Sequence, residues 1–320
     1  MARAARILEK IRKDHVTGAS VLAGEAAACL LAFLDERRQA PPARVMDGLL
    51  ELGCALVAAQ PGNGPIFNLV NSLLLRLEQE PNISEDATDM LHVARGHLTA
   101  WLQASHLAMA EIAAAVGALI KDGDIVFTHS YSSSVLAGLR KAKAADRRFK
   151  AIVTESRPLF EGREMAKQLA ALGLPVTVII DAAAPALVAE SDLVLVGADM
   201  VTGEFIVNKV GTQAVALAAQ NAHIPLYAVS ELSKCIPSAC ARGFGVERAP
   251  DQVWSRPAPG VRVRNIYFEA VPLDLLTGLV TELGVMGTPD VRLYIGKELA
   301  PARVAPCLVS EPLRPPPALE

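Results

Sequence analysis

In the first third of the chain, alanine and leucine recur three or four residues apart, with charged residues between them. This is the period of an α-helix with one apolar stripe. Ser84 precedes Glu85 and Asp86, an order typical of a helix N-cap and an acidic first turn. The pattern predicts no strand before about residue 124 and four helices, over Ser20–Glu36, Arg44–Ala59, Pro65–Glu80 and Ser84–Ile120.

The pattern changes at Gly123, which lies between two aspartates and is predicted to be a domain boundary. From here on, short apolar runs recur, and an amphipathic helical stretch separates most of them. The runs are Ile125–Phe127, Ala151–Val153, Val176–Ile180, Leu193–Val196 and Leu226–Val229. Nearly continuous apolar runs are typical of parallel strands with both faces covered. The order predicts an α/β fold with a helical domain over residues 1–122, an open, mostly parallel sheet domain over 123–304, and an extended Pro-rich tail over 305–320.

Composition narrows the classes of function. Of 320 residues, 52% are hydrophobic and 20% are charged, which is enough apolar content for a sizeable core. The formal net charge is −3, and the aromatic residues number only 8 Phe, 4 Tyr and 2 Trp. Neither a basic nucleic-acid-binding surface nor a base-stacking platform is expected from these values. No run reaches the roughly 18 apolar residues that span a bilayer, so we expect neither a nucleic acid nor a membrane as partner.

The cysteines and glycines favour no bound metal or cofactor. Five scattered cysteines, an odd number, indicate a reducing compartment without a disulfide framework. Only Cys235 and Cys240 lie close together in sequence, and no nearby histidine completes a zinc site. Gly62–Gly64 and Gly243–Gly245 are incomplete glycine patterns that follow no predicted strand, so no dinucleotide site is expected. These observations predict a cytoplasmic protein.

Polar residues follow the predicted strands at the edge where ligands bind in open parallel sheets. The clusters are Thr128–Ser134, Glu155–Pro158, Glu161–Arg163, Asp181, Gly197–Asp199 and Asn208–Thr212. Two of them precede predicted helices, at Ser132 and at Gly211 with Thr212. A helix N-terminus offers free amide groups and the positive end of a dipole, so each could hold a phosphate group. Equally, Ser132 and Thr212 could be ordinary helix N-caps.

Asp199 is the leading candidate for acid–base chemistry. A carboxylate at a strand end is partly dehydrated, and dehydration raises its pKa toward values useful for proton transfer. Alternatively, Asp199 caps a turn or pairs with Lys209 or an arginine. Arg157 could clamp a phosphate group or bridge subunits. His129 could be a base, or it could hydrogen-bond to backbone carbonyls at the strand end.

Four ordered motifs resemble one known family. They are Thr128-His129-Ser130-Tyr131-Ser132, Glu155-Ser156-Arg157-Pro158 with Glu161-Gly162-Arg163, Gly197-Ala198-Asp199, and Asn208-Lys209 with Gly211-Thr212. The family comprises the alpha, beta and delta subunits of translation initiation factor 2B, methylthioribose-1-phosphate isomerase and ribose-1,5-bisphosphate isomerase. The resemblance extends from about Val16 to about Asp290. The segment Thr281–Val285 resembles the family's closing helix and turn.

The resemblance implies a helical domain followed by a Rossmann-like domain, in a homodimer. It also implies an isomerase site that converts a cyclic aldose 1-phosphate to a ketose 1-phosphate without a cofactor. Asp199 matches the family's catalytic aspartate, and Ser130 stands at the position of its catalytic cysteine. The implied substrate-binding positions here are Asn208, Lys209, Arg157, Glu161, Gly18, Ala19, Ser132, Gly211 and Thr212.

Several positions depart from the isomerase pattern. Ser130 replaces a thiol by a much weaker acid, since a free cysteine titrates near about 8.5. Thr17 and Gly64 stand where the isomerases have arginines that bind phosphate, and Glu161 stands where they have a glutamine. Two hypotheses follow. One is a sugar-phosphate isomerase with Asp199 as acid–base group and Ser130 or His129 as second proton carrier. The other is a non-catalytic regulatory or scaffold protein that binds a sugar phosphate or a nucleotide.

Overall fold

A computed structural model of the chain describes residues 2–14, 17–80, 87–242 and 247–298. The predicted tail, the cap at Ser84–Asp86 and the segment Gly243–Gly245 lie outside the described residues. The helices are α1 Arg3–Lys13, α2 Ala19–Glu36, α3 Pro42–Ala59, α4 Gly64–Glu78, α5 Ala87–Leu119, α6 Ser133–Ala144, α7 Glu161–Ala171, α8 Ala184–Leu187, α9 Thr212–Asn221 and α10 Thr288–Glu298. The strands are β1 Ile125–His129, β2 Lys150–Thr154, β3 Val176–Ile179, β4 Leu193–Gly197, β5 Met200–Val201, β6 Phe205–Lys209, β7 Leu226–Val229, β8 Phe268–Pro272, β9 Gly278–Thr281 and β10 Gly284–Gly287.

The chain forms two compact units. The first contains Met1–Leu107 and Ser233–Gly243, and the second contains Ala108–Leu232 and Phe244–Gly296. The division falls inside α5 rather than at the turn of Gly123, because the last turns of this helix pack into the core of the second unit. Ile112 and Val116 on those turns are fully buried there.

The first unit is helical, as its sequence predicts. Buried apolar side chains on α2, α3 and α4 form its interior. The sequence did not predict α1, because its residues are mostly charged and only Ala4 and Ile11 are buried. Asn63 caps α4 by accepting a hydrogen bond from the Ile66 amide at 3.0 Å. Cys29, Cys235 and Cys240 are free and buried, whereas Cys54 is disulfide-bonded, which departs from the expectation of reduced cysteines.

Helix α5 is unusually apolar for its length. Among the described residues, its segment Thr88–Leu119 is the one helix long and apolar enough to cross a membrane by length and composition. Core helices of soluble proteins meet the same test, so this property carries no membrane assignment. The helix belongs to both compact units, since they divide after Leu107.

The second unit confirms the predicted α/β fold. Its main sheet has the strand order β10-β9-β7-β4-β1-β2-β3, in which only the β9–β10 pair is antiparallel. Each of the five predicted apolar runs is a strand of this sheet. Helices α6 and α7 cover its apolar side chains, and the resulting core includes Val126, Leu139, Val153 and Leu195.

Two parts of the second unit differ from expectation. A separate antiparallel sheet of order β5-β6-β8 follows β4, and none of its strands is among the five apolar runs that predicted strands. The segment Thr281–Val285 forms the turn between β9 and β10, with Gly284 at a φ of +93°, so the expected closing helix and turn is wrong there. Both strands of this hairpin are four residues long, too short to show a clear apolar alternation.

Candidate functional site

The carboxyl ends of β1, β4 and β6 meet at one edge of the second unit. Strands β1 and β4 are paired with His129 opposite Val196, so Ser130 and Gly197 lie next to each other where the two strands end. A Cβ atom at Gly197 would lie 2.9 Å from the Ser132 side chain and 3.8 Å from Oδ1 of Asn208. Only glycine therefore fits between the serine loop and Asn208. This close approach brings together three motifs that are far apart in sequence.

His129 is a structural residue of this edge. Its Nε2 lies 2.9 Å from the Val210 carbonyl oxygen, and its Nδ1 lies 2.7 Å from Oγ1 of Thr154. Because a carbonyl only accepts, Nε2 carries the proton and Nδ1 accepts from the threonine hydroxyl. Burial lowers the pKa of His129, which favours this neutral form. Both ring nitrogens are thus engaged inside the protein, and the role of second proton carrier for His129 is not supported.

Ser130 has a strained backbone. Its φ of +68° lies in the left-handed region, which non-glycine residues rarely adopt, and its side chain is 8% exposed. Such strain is found more often at functional sites than elsewhere. Among the candidate site residues other than glycine, Ser130 is the one with a left-handed backbone, and the apolar pattern gives no signal for it.

Ser132 is the N-cap of α6. Its Oγ accepts a hydrogen bond from the Val135 amide at 3.3 Å. The capping role of this side chain is thus observed, and its role in substrate binding stays a prediction. Ser133 is the first residue of the helix.

The N-terminus of α9 holds a carboxylate of the protein itself. Oε1 of Glu269 accepts hydrogen bonds from the amides of Gly211 and Gln213, both at 2.8 Å. The phosphate site predicted at Gly211 and Thr212 stays a prediction, because a phosphate group there has to compete with Glu269 for these amides. Burial raises the pKa of Glu269, and these backbone hydrogen bonds partly offset the rise. Gly211 has a φ of +104°, and a Cβ there would lie 3.0 Å from the His129 ring, so glycine is required.

Thr212 instead orients Asn208. Its hydroxyl donates to the Lys209 carbonyl at 2.6 Å and accepts from Nδ2 of Asn208 at 3.0 Å. The Asn208 amide is therefore fixed with its oxygen toward Gly197. Asp199 is half-buried beside it, and its amide donates to the Val207 carbonyl at 2.9 Å. The sequence prediction that Asp199 and Asn208 share one site agrees with this backbone pairing.

Lys209 forms a buried ion pair with Glu161. Its side chain is 2% exposed, and its ammonium group lies 2.9 and 3.0 Å from the two carboxylate oxygens. Burial lowers the pKa of Lys209, and Glu161 opposes that change. Glu161 reaches this position because α7 begins close to the end of β2. A Cβ at Gly162 would lie only 1.7 Å from the Thr154 carbonyl oxygen.

Besides Glu269, sequence reasoning missed Tyr267 and Arg248 at this site. The Tyr267 ring centroid lies 3.5 Å from Nζ of Lys209 and 3.6 Å from Cζ of Arg248. Asp199 and Glu161 both act on the Arg248 guanidinium and oppose the lowering of its pKa by burial. Neither residue follows a predicted strand. The signal that could have found them is the pairing of β8 with β6, which the apolar pattern did not show.

The remaining candidates lie as follows. The Arg157 amide donates to Oδ2 of Asp181 at 2.7 Å, and its guanidinium donates to the Val253 carbonyl at 2.9 Å. Arg157 also lines a cavity of about 170 Å³ next to Val210. Gly18 and Ala19 begin α2 in the first unit, so their role in substrate binding stays a prediction.

Within the described residues, no group of three or more His, Cys, Asp or Glu side chains could hold a metal ion. The chemistry available at this edge is therefore that of carboxylates, hydroxyls, an amide and two cations. Such a set can bind an anionic, hydroxyl-rich ligand and transfer protons to it.

Sequence comparison gives one family for most of the chain. The profile of the initiation factor 2 subunit family matches residues 15–288. The chain is 31% identical to a translation initiation factor eIF-2B subunit 2-like protein of Pyrococcus horikoshii, over 90% of this chain and 97% of that protein. It is 32% identical to a ribose 1,5-bisphosphate isomerase of Archaeoglobus fulgidus, over 90% of each chain.

Comparison with solved structures agrees. The fold is similar to that of translation initiation factor eIF-2B from Pyrococcus horikoshii, with a TM-score of 0.76 and 30% identity over 91% of this chain and 98% of that one. It is also similar to a 5-methylthioribose 1-phosphate isomerase from the same organism, with a TM-score of 0.71 over 92% of this chain and 86% of that one. At 24% identity, the second likeness shows the fold alone.

Proposed function

Because the chain belongs to the initiation factor 2 subunit family, we propose that it is a sugar-phosphate isomerase-like protein that converts an aldose 1-phosphate to a ketose 1-phosphate. One observation carries the proposal. The carboxyl ends of β4 and β6 bring Asp199, Asn208 and Lys209 to the same edge as the serine loop. The relatives named ribose 1,5-bisphosphate isomerase support a sugar phosphate as the ligand class.

The proposed reaction needs proton carriers and no external oxidant. The bond between C1 and the ring oxygen breaks, and that oxygen takes a proton from Asp199. A hydrogen then moves with its electron pair from C2 to C1, while the C2 hydroxyl loses its proton and becomes a carbonyl. C1 is reduced and C2 is oxidised, so the substrate and product are isomers. Ser130 relays this second proton to the Asp199 carboxylate that the first step left, so no net proton is gained or lost. His129 does not serve here, since both of its ring nitrogens are engaged in the interior.

A second candidate is a non-catalytic protein that binds a sugar phosphate or a nucleotide and regulates a partner. The Lys209–Glu161 ion pair favours it, because a phosphate group has to compete with a carboxylate already bound to the lysine. The hydroxyl of Ser130 favours it too, because an alcohol is a far weaker acid than a thiol. The eIF-2B subunit 2-like relatives fit this second candidate.

Turnover decides between the two candidates. The purified protein is incubated with ribose 1-phosphate, ribose 1,5-bisphosphate and 5-methylthioribose 1-phosphate, and ³¹P NMR follows the product. An isomerase converts one of them, and Asp199→Asn lowers its rate by about 100-fold or more. The control Asp274→Asn alters an exposed carboxylate of an ion pair with Arg292 and keeps the wild-type rate. Binding without turnover supports the regulatory candidate, and turnover that survives Asp199→Asn contradicts the proposed mechanism.

A homodimer in the cytoplasm completes the proposal. The family resemblance supports the dimer, and the free thiols of Cys29, Cys235 and Cys240 support the compartment, against the disulfide of Cys54. Light scattering on the purified protein tests the first point. A mass of twice 33.8 kDa is expected, and a monomer would contradict it.

A further inference from the structure

We propose that Arg248, held on the ring of Tyr267, is a second phosphate-binding cation of this site. This inference rests on the proposed function, since it presumes that a sugar phosphate binds at the carboxyl edge. No sequence motif singles out either residue.

Tyr267 contacts two cations. Nζ of Lys209 and Cζ of Arg248 are 3.5 and 3.6 Å from its ring centroid. The two cations are therefore at most about 7 Å apart, a separation across which one phosphate-bearing ligand can reach both. The aromatic ring thus holds two like charges close to each other.

The backbone fixes this arrangement. The Val210 amide donates to the Tyr267 carbonyl at 3.0 Å, and Lys209 is paired with Phe268 across β6 and β8. On the other side, the Arg248 amide donates to the Asn265 carbonyl at 2.8 Å. The hydrogen bond from Val210 thus ties Tyr267 to the end of β6, and the hydrogen bond to Asn265 places Arg248 beside the tyrosine. Both cations are placed by backbone pairing, which limits the entropy lost on binding.

The two cations differ in what they offer a phosphate group. Lys209 is buried and has both oxygens of Glu161 within 3.0 Å. Arg248 is half-buried, and its Cζ lies 3.6 Å from the centroid of the Tyr267 ring. An arginine edge donates two parallel hydrogen bonds to one phosphate group, whereas a lysine acts as a point charge. Arg248 is therefore the better primary contact for the phosphate.

The electrostatic surroundings agree with this role. Asp199 and Glu161 are near enough to act on the Arg248 guanidinium, which stays charged at any physiological pH. These carboxylates balance its charge when no ligand is bound. A phosphate group on Arg248 would then lie beside Asp199, the proposed acid–base group. The position matches a substrate whose phosphate is attached to C1, the carbon at which the proposed reaction begins.

Calorimetric titration tests the inference. Ribose 1-phosphate and inorganic phosphate are titrated into the wild type, Arg248→Gln and the control Arg292→Gln, which alters an exposed arginine paired with Asp274. We expect Arg248→Gln to raise the Kd for both probes by at least tenfold, and by the same factor, because the lost contact is to the phosphate group. The control keeps the wild-type Kd. An unchanged Kd in Arg248→Gln overturns the inference and leaves the proposed function intact.

Two further results are informative. Should Arg248→Gln fail to fold, Arg248→Lys keeps a positive charge but loses the paired hydrogen bonds, and we expect a Kd about fivefold higher. A wild-type Kd in that variant overturns the inference. The other result is a wild type that binds none of the four probes, which are ribose 1-phosphate, ribose 1,5-bisphosphate, 5-methylthioribose 1-phosphate and inorganic phosphate. That result overturns both this inference and the proposed function.

Discussion

The ammonium group of Lys209 lies 2.9 Å from one carboxylate oxygen of Glu161 and 3.0 Å from the other. Both side chains are largely buried. A solvent-exposed ion pair adds little to the free energy of unfolding. Removing one partner of a buried pair lowers that free energy strongly, because the other charge stays buried without a counter-charge. A ligand that binds Lys209 through an anion must replace Glu161 or share the lysine with it. The pair thus sets both the stability of the site and the affinity for a phosphate group.

Glu161→Gln removes the competing carboxylate. We expect the variant to bind ribose 1-phosphate roughly tenfold more tightly, which corresponds to about 1.4 kcal/mol. Without ligand it should be less stable than the wild type by about 3 kcal/mol, because the lysine remains buried without its counter-charge. Calorimetric titration and thermal unfolding measure the two effects. Glu164→Gln, on the exposed side of the same helix, should change neither; weaker binding by Glu161→Gln would contradict this account.

Ser130→Cys tests whether the hydroxyl limits catalysis. Serine and cysteine are close in size, so the left-handed backbone at this position should be kept. A thiol releases its proton far more readily than an alcohol, and we expect turnover of the best aldose 1-phosphate to rise by at least about tenfold. The ³¹P NMR assay measures the rate, with Ser130→Cys combined with Asp199→Asn as the inactive control. The same rate with either residue at position 130 would show that this side chain carries no proton.

Gly162→Ala tests the close approach of α7 to β2. The added Cβ would lie 1.7 Å from the Thr154 carbonyl oxygen, so the helix has to move and carry Glu161 with it. We expect a loss of about 2–3 kcal/mol in the free energy of unfolding, measured by urea denaturation. At Gly203, nothing lies within 4 Å of an added Cβ, and Gly203→Ala should stay within about 0.5 kcal/mol of the wild type. Equal stabilities of the two variants would contradict the packing described for Gly162.

Apolar periodicity was enough to predict the fold of the second unit but not all of its site. The strands at Ile125–His129 and Leu193–Gly197 are buried on both faces, so each is a nearly continuous apolar run. Such a run can be recognised from the sequence without the tertiary structure. Strand ends then located Asp199 and Lys209. By contrast, Glu269 and Arg248 act from outside the main sheet. Their positions depend on antiparallel pairing with β6 and on a single bridge, neither of which leaves a regular pattern in sequence.

The predicted roles of single side chains were less secure than their positions. Ser132 and Gly211 lie at helix N-termini as expected. Which group occupies those termini could not be derived, because a cap and an anion site have the same local geometry. The N-terminus of α6 is capped by the hydroxyl of Ser132. That of α9 is bound by the carboxylate of Glu269, which lies on a strand more than fifty residues later in the chain.

His129 should make stability depend on pH. Burial lowers its pKa in the folded state below the ordinary value of 6.5, so its stabilising effect is fully present above that value and is lost as the pH falls through the folded pKa. The loss approaches about 1.4 kcal/mol per pH unit. We expect urea denaturation to show a steeper decline for the wild type than for His129→Gln as the pH is lowered from about 7 to about 5. Parallel declines would mean that His129 has the same pKa in the folded and the unfolded protein, which would contradict the lowering by burial.

The central claim is that the carboxyl edge around Asp199 and Lys209 binds a phosphorylated sugar. The most direct measurement is a calorimetric titration of ribose 1-phosphate into the wild type and into Lys209→Met, which keeps the length of the side chain but removes its charge. The account predicts saturable binding to the wild type and a Kd at least tenfold higher for the variant, with both proteins folded by circular dichroism. Equal affinity of the two proteins, or no binding to a folded wild type, would contradict it.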